Sequence, residues 1–178
     1  MSQSFEEVST IRPVAGESLG GVRQFVIFTL GAQQYCLDIM AVREIRASNV
    51  ITSLPSSPDF VRGVINLRGT IIPIIDLRTR FGLERSESAQ SQVVVIIMID
   101  GPLYGLLVDG VYDILTVRQS DIAAVPDTVG ENRHPLFDGL ITQGDTMLIV
   151  IALERLAMSF AQSVNNLNLP TELTVAAA

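Results

Sequence analysis

The chain contains no lysine: all 12 of its cationic side chains are arginine. This removes the phosphate-cradling lysine of a P-loop, the strand lysine of a protein kinase and any Schiff-base lysine. There is one cysteine, Cys36, and one histidine, His134. A single cysteine excludes an intramolecular disulfide framework, and one residue of each kind cannot form a zinc cluster. No glycine-rich phosphate loop is present. No apolar run reaches the ~18–20 residues that span a bilayer. The opening MSQSFEEVST has early acids and no basic segment leading into an apolar one, so no signal peptide is expected. These absences point to a cytoplasmic protein that does not insert into a membrane. Positive charge is also scarce, with 12 cations against 19 acids and a net charge of −7. With only three Tyr and seven Phe besides, there is little basic or stacking surface for nucleic acid.

What the chain does have is apolar matter, at 48% hydrophobic and 17% charged, enough for a sizeable core in its 178 residues. The most telling stretch is Val61 to Leu77, VRGVINLRGTIIPIIDL. Two apolar runs flank the polar turn Asn66-Leu67-Arg68-Gly69, which is a hairpin signal, and Arg68 is the one charge in that turn. The pattern returns later. Gly63-Val64-Ile65 matches Gly139-Leu140-Ile141 at an offset of 76 (139 − 63), and the same offset pairs Thr70 with Thr146 and Leu77 with Leu153. An offset of 69 (104 − 35) pairs Tyr35 with Tyr104, Val42 with Val111, Glu44 with Asp113 and Ile45 with Ile114. Near-constant offsets indicate two copies of one small unit. The copies differ at the turn, where Arg68 faces Gly144, so a partner is to be sought at the first hairpin.

Along the chain, residues 1–22 read as a flexible arm. Phe25–Leu30 and Gln33–Ile39 read as strands around Gly31-Ala32. Ile39–Arg46 has apolar residues at helical spacing and is expected to be a short helix. Val50–Leu54 reads as a short strand, and Asp59 as the cap of a helical turn over Phe60–Val64. Asp76–Phe81 reads as a short helix ending at Gly82. Gly82–Gln92 is the polar joint. Val93–Ile99 and Leu103–Val108 are strands, Val111–Val117 carries apolar residues on one side, and Pro126–Pro135 is loop. Leu136–Thr142 and Thr146–Leu153 form the second hairpin. Leu153–Ala161 is a helix with Leu153, Leu156, Ala157 and Phe160 inward. Short strands with frequent turns argue for small barrels and against a parallel sheet. The expected architecture is mainly β: two five-stranded barrels packed together, the first over about 23–85 and the second over about 92–152. A C-terminal helix over about 153–161 and a flexible tail over 162–178 follow.

No catalytic constellation is visible. His134 reads as a solvated loop residue and Cys36 as a buried, inert thiol. Asp109 and Asp113 suit turns better than a carboxylate pair for acid–base work. The sequence argues for a binding module without metal or cofactor. Val42 and Val111 either line a groove between the barrels or belong to the core.

The ordered motifs Phe25–Gly31 (FVIFTLG), Val42-Arg43-Glu44-Ile45, Pro58–Gly63 (PDFVRG), Asn66-Leu67-Arg68-Gly69, Pro73–Leu77 (PIIDL), Gly105–Val111 (GLLVDGV) and Gly144-Asp145 resemble the CheW family of chemotaxis coupling proteins. The likeness runs from about Gln24 to Leu156. It implies two SH3-like barrels and a non-enzymatic adaptor. Such an adaptor links the cytoplasmic tips of methyl-accepting chemoreceptors to the regulatory domain of a CheA-type histidine kinase, at membrane-associated receptor arrays. A paralogous scaffold in a pilus-motility or second-messenger pathway is the alternative it leaves open. The receptor-facing positions it implies are Val42, Glu44, Gly63, Arg68, Val93 and Gly105. Kinase contact is expected around Val50, Ile51, Leu54 and Pro55.

Overall fold

The computed structural model describes residues 21–48, 51–85, 91–126 and 136–169. Within them the apolar runs become β1 (Val22–Leu30), β2 (Gln33–Asp38), β3 (Val42–Ala47), β4 (Val61–Leu67) and β5 (Thr70–Asp76). A short helix α1 (Leu77–Arg80) follows, then β6 (Val93–Met98), β7 (Leu103–Val108) and β8 (Gly110–Arg118). The two-residue β9 (Ile122–Ala123), β10 (Phe137–Gln143), β11 (Thr146–Ile151) and α2 (Leu153–Asn165) complete the fold. Two sheets result, one of five strands in the order β3-β6-β7-β5-β4 and one of six in the order β8-β1-β2-β11-β10-β9. The molecule is mainly β, with each sheet the basis of one small SH3-like barrel.

The internal repeat extends to the hydrogen-bond register. Val26 pairs with Ile114 and Ile45 pairs with Val95, which is the same pairing with the two copies exchanged at offset 69. The parallel contacts match as well: Val150 meets Cys36 where Ile74 meets Gly105. Each copy has one bulge opposite β1 or β6, at Tyr112 and Arg43. Each also has one in its last hairpin, at Arg62 and Asp138.

The same pairings correct one expectation. The barrels do not follow one another as 23–85 and 92–152. The β1–β2 hairpin pairs with β8 and β11 of the second copy, and the β6–β7 hairpin pairs with β3 and β5 of the first. Each copy thus lends a hairpin to the other's sheet, which leaves no surface along which the two could separate. Three cores follow. Ile65, Ile72, Ile74, Val94 and Ile96 fill the five-stranded barrel, and their counterparts Ile141, Leu148, Val150, Phe25 and Ile27 fill the other. Between them lies a larger shared cluster that includes Phe28, Leu37, Ile75, Val95, Ile97, Leu106 and Phe160. Each such fully buried side chain stabilises by roughly 1.5–3 kcal/mol.

Local expectations change where bulges occur. Ile39–Arg46 is not a helix but a 3-10 turn, Ile39–Ala41, followed by strand β3. Phe60–Val64 is not a helical turn, since β4 begins at Val61. In both, an inserted residue (Arg43, Arg62) puts apolar side chains three apart on one face, as Val42 with Ile45 and Val61 with Val64. That spacing imitates a helix. The strand expected over Val50–Leu54 is reduced to a single bridge, Thr52 to Val64, and Val50 lies outside the described residues. Helix α2 runs on to Asn165, past the Ala161 expected as its end. The hairpin turns, α1 and the inward residues Leu156, Ala157 and Phe160 are as expected.

Candidate partner-binding site

The β4–β5 pairing ends at Leu67 and Thr70, so Arg68 and Gly69 alone make the turn. Both have positive φ, +49° and +88°, as a type I′ turn requires. Asn66 steadies the turn by accepting the Gly69 N–H at 2.8 Å through Oδ1. The second hairpin turns at Gly144, with φ +59°, and Asp145. A left-handed backbone costs an ordinary residue about 1 kcal/mol, and glycine much less. Arg68 therefore occupies a position where the sister hairpin has the residue the backbone prefers. Its side chain is 76% exposed, so packing does not repay the strain.

The guanidinium of Arg68 is aimed rather than free. Its Nη2 lies 3.3 Å from Glu44 Oε2 on β3, and Arg46 Nε reaches the other oxygen, Glu44 Oε1, at 3.1 Å. One carboxylate between two guanidinium groups leaves this end of β3 with a surplus positive charge. Val42, on the same strand, and Val93, on β6, are half-buried against the shared core. Gly63 and Gly105 act by what they leave out. A Cβ on Gly63 would lie 2.1 Å from the Thr52 carbonyl oxygen, and one on Gly105 would lie 2.3 Å from Ile74 Cδ1 and 2.8 Å from Val94 Cγ1. The fold gathers all six positions onto the five-stranded sheet and its turn. Four are side chains on its surface and two are buried glycines that let neighbouring chain close in.

Residues Ile51, Leu54 and Pro55 run beside β4. Ile51 packs on the barrel core, the Leu54 carbonyl accepts a hydrogen bond from Ser57 Oγ at 3.1 Å, and Pro55 is exposed. Cys36 and Asp113 hold structural places. Cys36 is fully buried, and burial pushes its thiol up to about 12, against a small opposing pull from Arg23. Asp113 Oδ1 accepts the N–H of Ile114 at 2.8 Å. His134 lies outside the described residues.

Asp109 has a structural role that the sequence did not reveal. Arg78 Nε and Nη2 donate to its two oxygens at 2.8 and 2.5 Å, and the Gly31 N–H donates at 2.6 Å. Burial raises the Asp109 pKa, but these hydrogen bonds outweigh it and hold the carboxyl below its usual range. The clasp ties α1, the β1–β2 turn and the end of β7 across the junction of the barrels. No spacing rule links Arg78 to an acid 31 positions away.

The opposite junction is open. There Met40, Met98 and Leu153 edge a groove of about 590 Å³, with Arg23, Asp38, Asp138 and Arg155 along its sides. Arg23 pairs with Asp38 at 2.8 Å and Arg155 with Asp138 at 2.6 Å. Met40 is 72% exposed and adjoins Val42, so the groove continues onto the β3 surface.

Residues 24–160 match the family model described as the CheW-like domain. The chain belongs to the CheW-like family. It is 37% identical over 152 residues to the chemotaxis protein CheW of Klebsiella aerogenes, covering 85% of this chain and 90% of that one. It is also 37% identical over 134 residues to the chemotaxis protein CheW of Rhizobium meliloti, covering 75% and 86%. Among solved structures, the scaffolding protein TtCheW from Thermoanaerobacter tengcongensis superposes with a TM-score of 0.66 at 35% identity, covering 72% of this chain and 88% of that one. Among the described residues no helix is long and apolar enough to cross a membrane.

Proposed function

We propose that this CheW-like chain is a non-enzymatic cytoplasmic adaptor in chemotaxis, joining chemoreceptor tips to the regulatory domain of a CheA-type histidine kinase at receptor arrays. The observation that carries the reading is Arg68. It is a solvent-exposed cation held in a left-handed turn where the equivalent hairpin has glycine. Strain kept at an exposed charged position is better explained by a partner than by stability. Glu44 fixes the direction in which Arg68 points, and Val42 and Val93 supply apolar contact beside it. Apolar burial would give affinity, and the charges would set the register of the receptor helices. Gly63 and Gly105 contribute by shaping the sheet. Kinase contact is assigned to Ile51, Leu54, Pro55 and the adjoining Val50, where the chain beside β4 presents backbone with a single bridge.

The test is capture of a receptor cytoplasmic fragment and, separately, of a kinase regulatory domain, by wild-type protein and by Arg68→Ala. Binding of both by wild type, with only the receptor arm weakened in the variant, is the expected result. Capture of neither partner by wild type overturns the reading.

A further inference from the structure

Each sheet has two edges, and three of the four are protected. β4 is bridged by Thr52, whose N–H and carbonyl both bond to Val64. β10 carries β9, which at two residues is too short to template a further strand. β8 is covered by carboxylates. The Gln119 N–H donates to the Gly21 carbonyl, so alternation turns the N–H groups of Ile114, Thr116 and Arg118 away from β1. Asp113 Oδ1 accepts the first of these at 2.8 Å and Asp121 Oδ2 the last at 3.3 Å.

β3 is the counterpart of β8 and lacks this cover. The offset of 69 carries Ile114 and Thr116 onto Ile45 and Ala47, whose N–H groups therefore face away from β6. Glu44 stands where Asp113 does, but its two oxygens are engaged by Arg46 Nε and Arg68 Nη2. Ile114 packs on the shared core, whereas Ile45 is 38% exposed. The edge is also cationic. Arg43, Arg46 and Arg68 stand against Glu44, and the neighbouring β6 has no charged residue. Arg43 is anchored at the far end, on the Met40 carbonyl at 2.9 Å and Met98 Sδ at 3.6 Å. Arg46 and Arg68 are left to meet what lies along the strand. Open N–H groups, an exposed isoleucine and surplus positive charge together fit an extended, acidic segment rich in strand-forming residues.

The chain has such a segment upstream of β1. Ser4–Ile11 is SFEEVSTI, with two acids and the β-branched Val8, Thr10 and Ile11; Arg12 lies just outside it, and Pro13 ends the run. Val8 is 13 residues from Gly21 (21 − 8 = 13), up to about 45 Å of extended chain. A fold of this size has a radius of gyration of roughly 15 Å, so every part of its surface is within reach. We propose that residues 4–11 add to β3 of the same chain as an edge strand and thereby screen Glu44 and Arg68 from the receptor; the screening rests on the adaptor reading above. The carbonyls of the segment accept the Ile45 and Ala47 N–H groups. Side chains alternate along a strand, so with Glu6 on the side of Arg46 and Arg68, Phe5 and Ile11 fall on the side of Ile45. Tethering gives the segment an effective concentration on the order of 1 mM, so a weak contact suffices.

The test is amide hydrogen exchange, followed by NMR, in the full chain, in a variant lacking residues 2–20 and in Glu6→Arg/Glu7→Arg. The truncation should raise exchange at Ile45 and Ala47 about fivefold or more and leave Ile114 unchanged, which also serves as the folding control. The charge reversal keeps the length of the chain. It should raise the same two rates at about 0.05 M salt, and less so at about 0.5 M. Equal rates at Ile45 and Ala47 with and without residues 2–20 overturn the inference, whatever the receptor does. The truncated protein should also bind a receptor cytoplasmic fragment severalfold more tightly, since no fraction of it is screened. Unchanged affinity overturns the screening. If neither protein binds the fragment, the adaptor reading fails, and the exchange rates still decide whether the strand forms.

Discussion

The two barrels share register, bulges and core positions, yet they differ at the places where they meet water. One hairpin turns on Arg68 and the other on Gly144. One junction is clasped by Arg78 and Asp109, and the other is open around Met40. Duplicated interiors with divergent rims mean that packing fixes the barrel, while the rims carry what distinguishes one copy from the other. At the centre of the five-stranded barrel, Gly105 holds the place that Cys36 has in its sister. There Ile74 and Val94 close in over the missing side chain.

The comparison can be broken most forcefully at the paired glycines. A Cβ on Gly63 meets the Thr52 carbonyl at 2.1 Å, whereas one on Gly139 meets Ile122 Cγ2 at 2.7 Å and the Ala123 carbonyl at 2.8 Å. Gly63 also has φ +147°. We expect Gly63→Ala to cost about 3 kcal/mol and Gly139→Ala about 1 kcal/mol, read from urea midpoints. Equal costs would show that the copies tolerate crowding alike.

The junctions give the next effect. Asp109→Asn or Arg78→Leu should lower stability by about 1–2 kcal/mol, because either leaves a half-buried partner unpaired. The folded-state pKa of Asp109 is depressed, so its contribution is complete above the unfolded value of about 4 and is lost as pH falls through the lower folded value. The difference between wild type and Asp109→Asn should stay level from neutral pH down to about 5, begin to shrink near about 4, and vanish only once pH has fallen below the depressed folded value. A difference that does not shrink at all in acid would mean that the clasp acts through shape rather than charge.

The turns give the smallest effect. Gly144→Arg should cost about 1 kcal/mol by forcing a side chain into φ +59°. Arg68→Gly should change stability by less than about 0.5 kcal/mol, since relieving the turn offsets the greater freedom of glycine in the unfolded chain. Thermal melts of the two variants would check both.

The hairpin, the repeat and Arg68 were legible because they are local or rest on a constant offset. Apolar alternation gave the strands, and the single charge in the turn between two largely apolar runs marked the tip. Three features were hidden, each for a physical reason. The bulges at Arg43 and Arg62 shift the period of two to three and make strand look like helix. The exchange of hairpins between sheets depends on which edges meet, and both pairings satisfy the same apolar pattern. The Arg78–Asp109 clasp and the open seam join residues far apart in sequence, so only the folded chain brings them together. Of the six positions implied by the resemblance, Glu44 and Arg68 are paired on the surface, whereas Gly63 and Gly105 prove to be buried spacers.

The most direct test of the adaptor account is the affinity of Arg68→Gly for a receptor cytoplasmic fragment, with its affinity for the kinase regulatory domain measured alongside. This substitution gives the first hairpin the residue of the second and leaves the turn at least as comfortable. The account predicts tenfold or greater loss of receptor affinity, roughly the scale of a charged anchor at an interface, with kinase affinity unchanged. Undiminished receptor binding by a folded Arg68→Gly protein would contradict it.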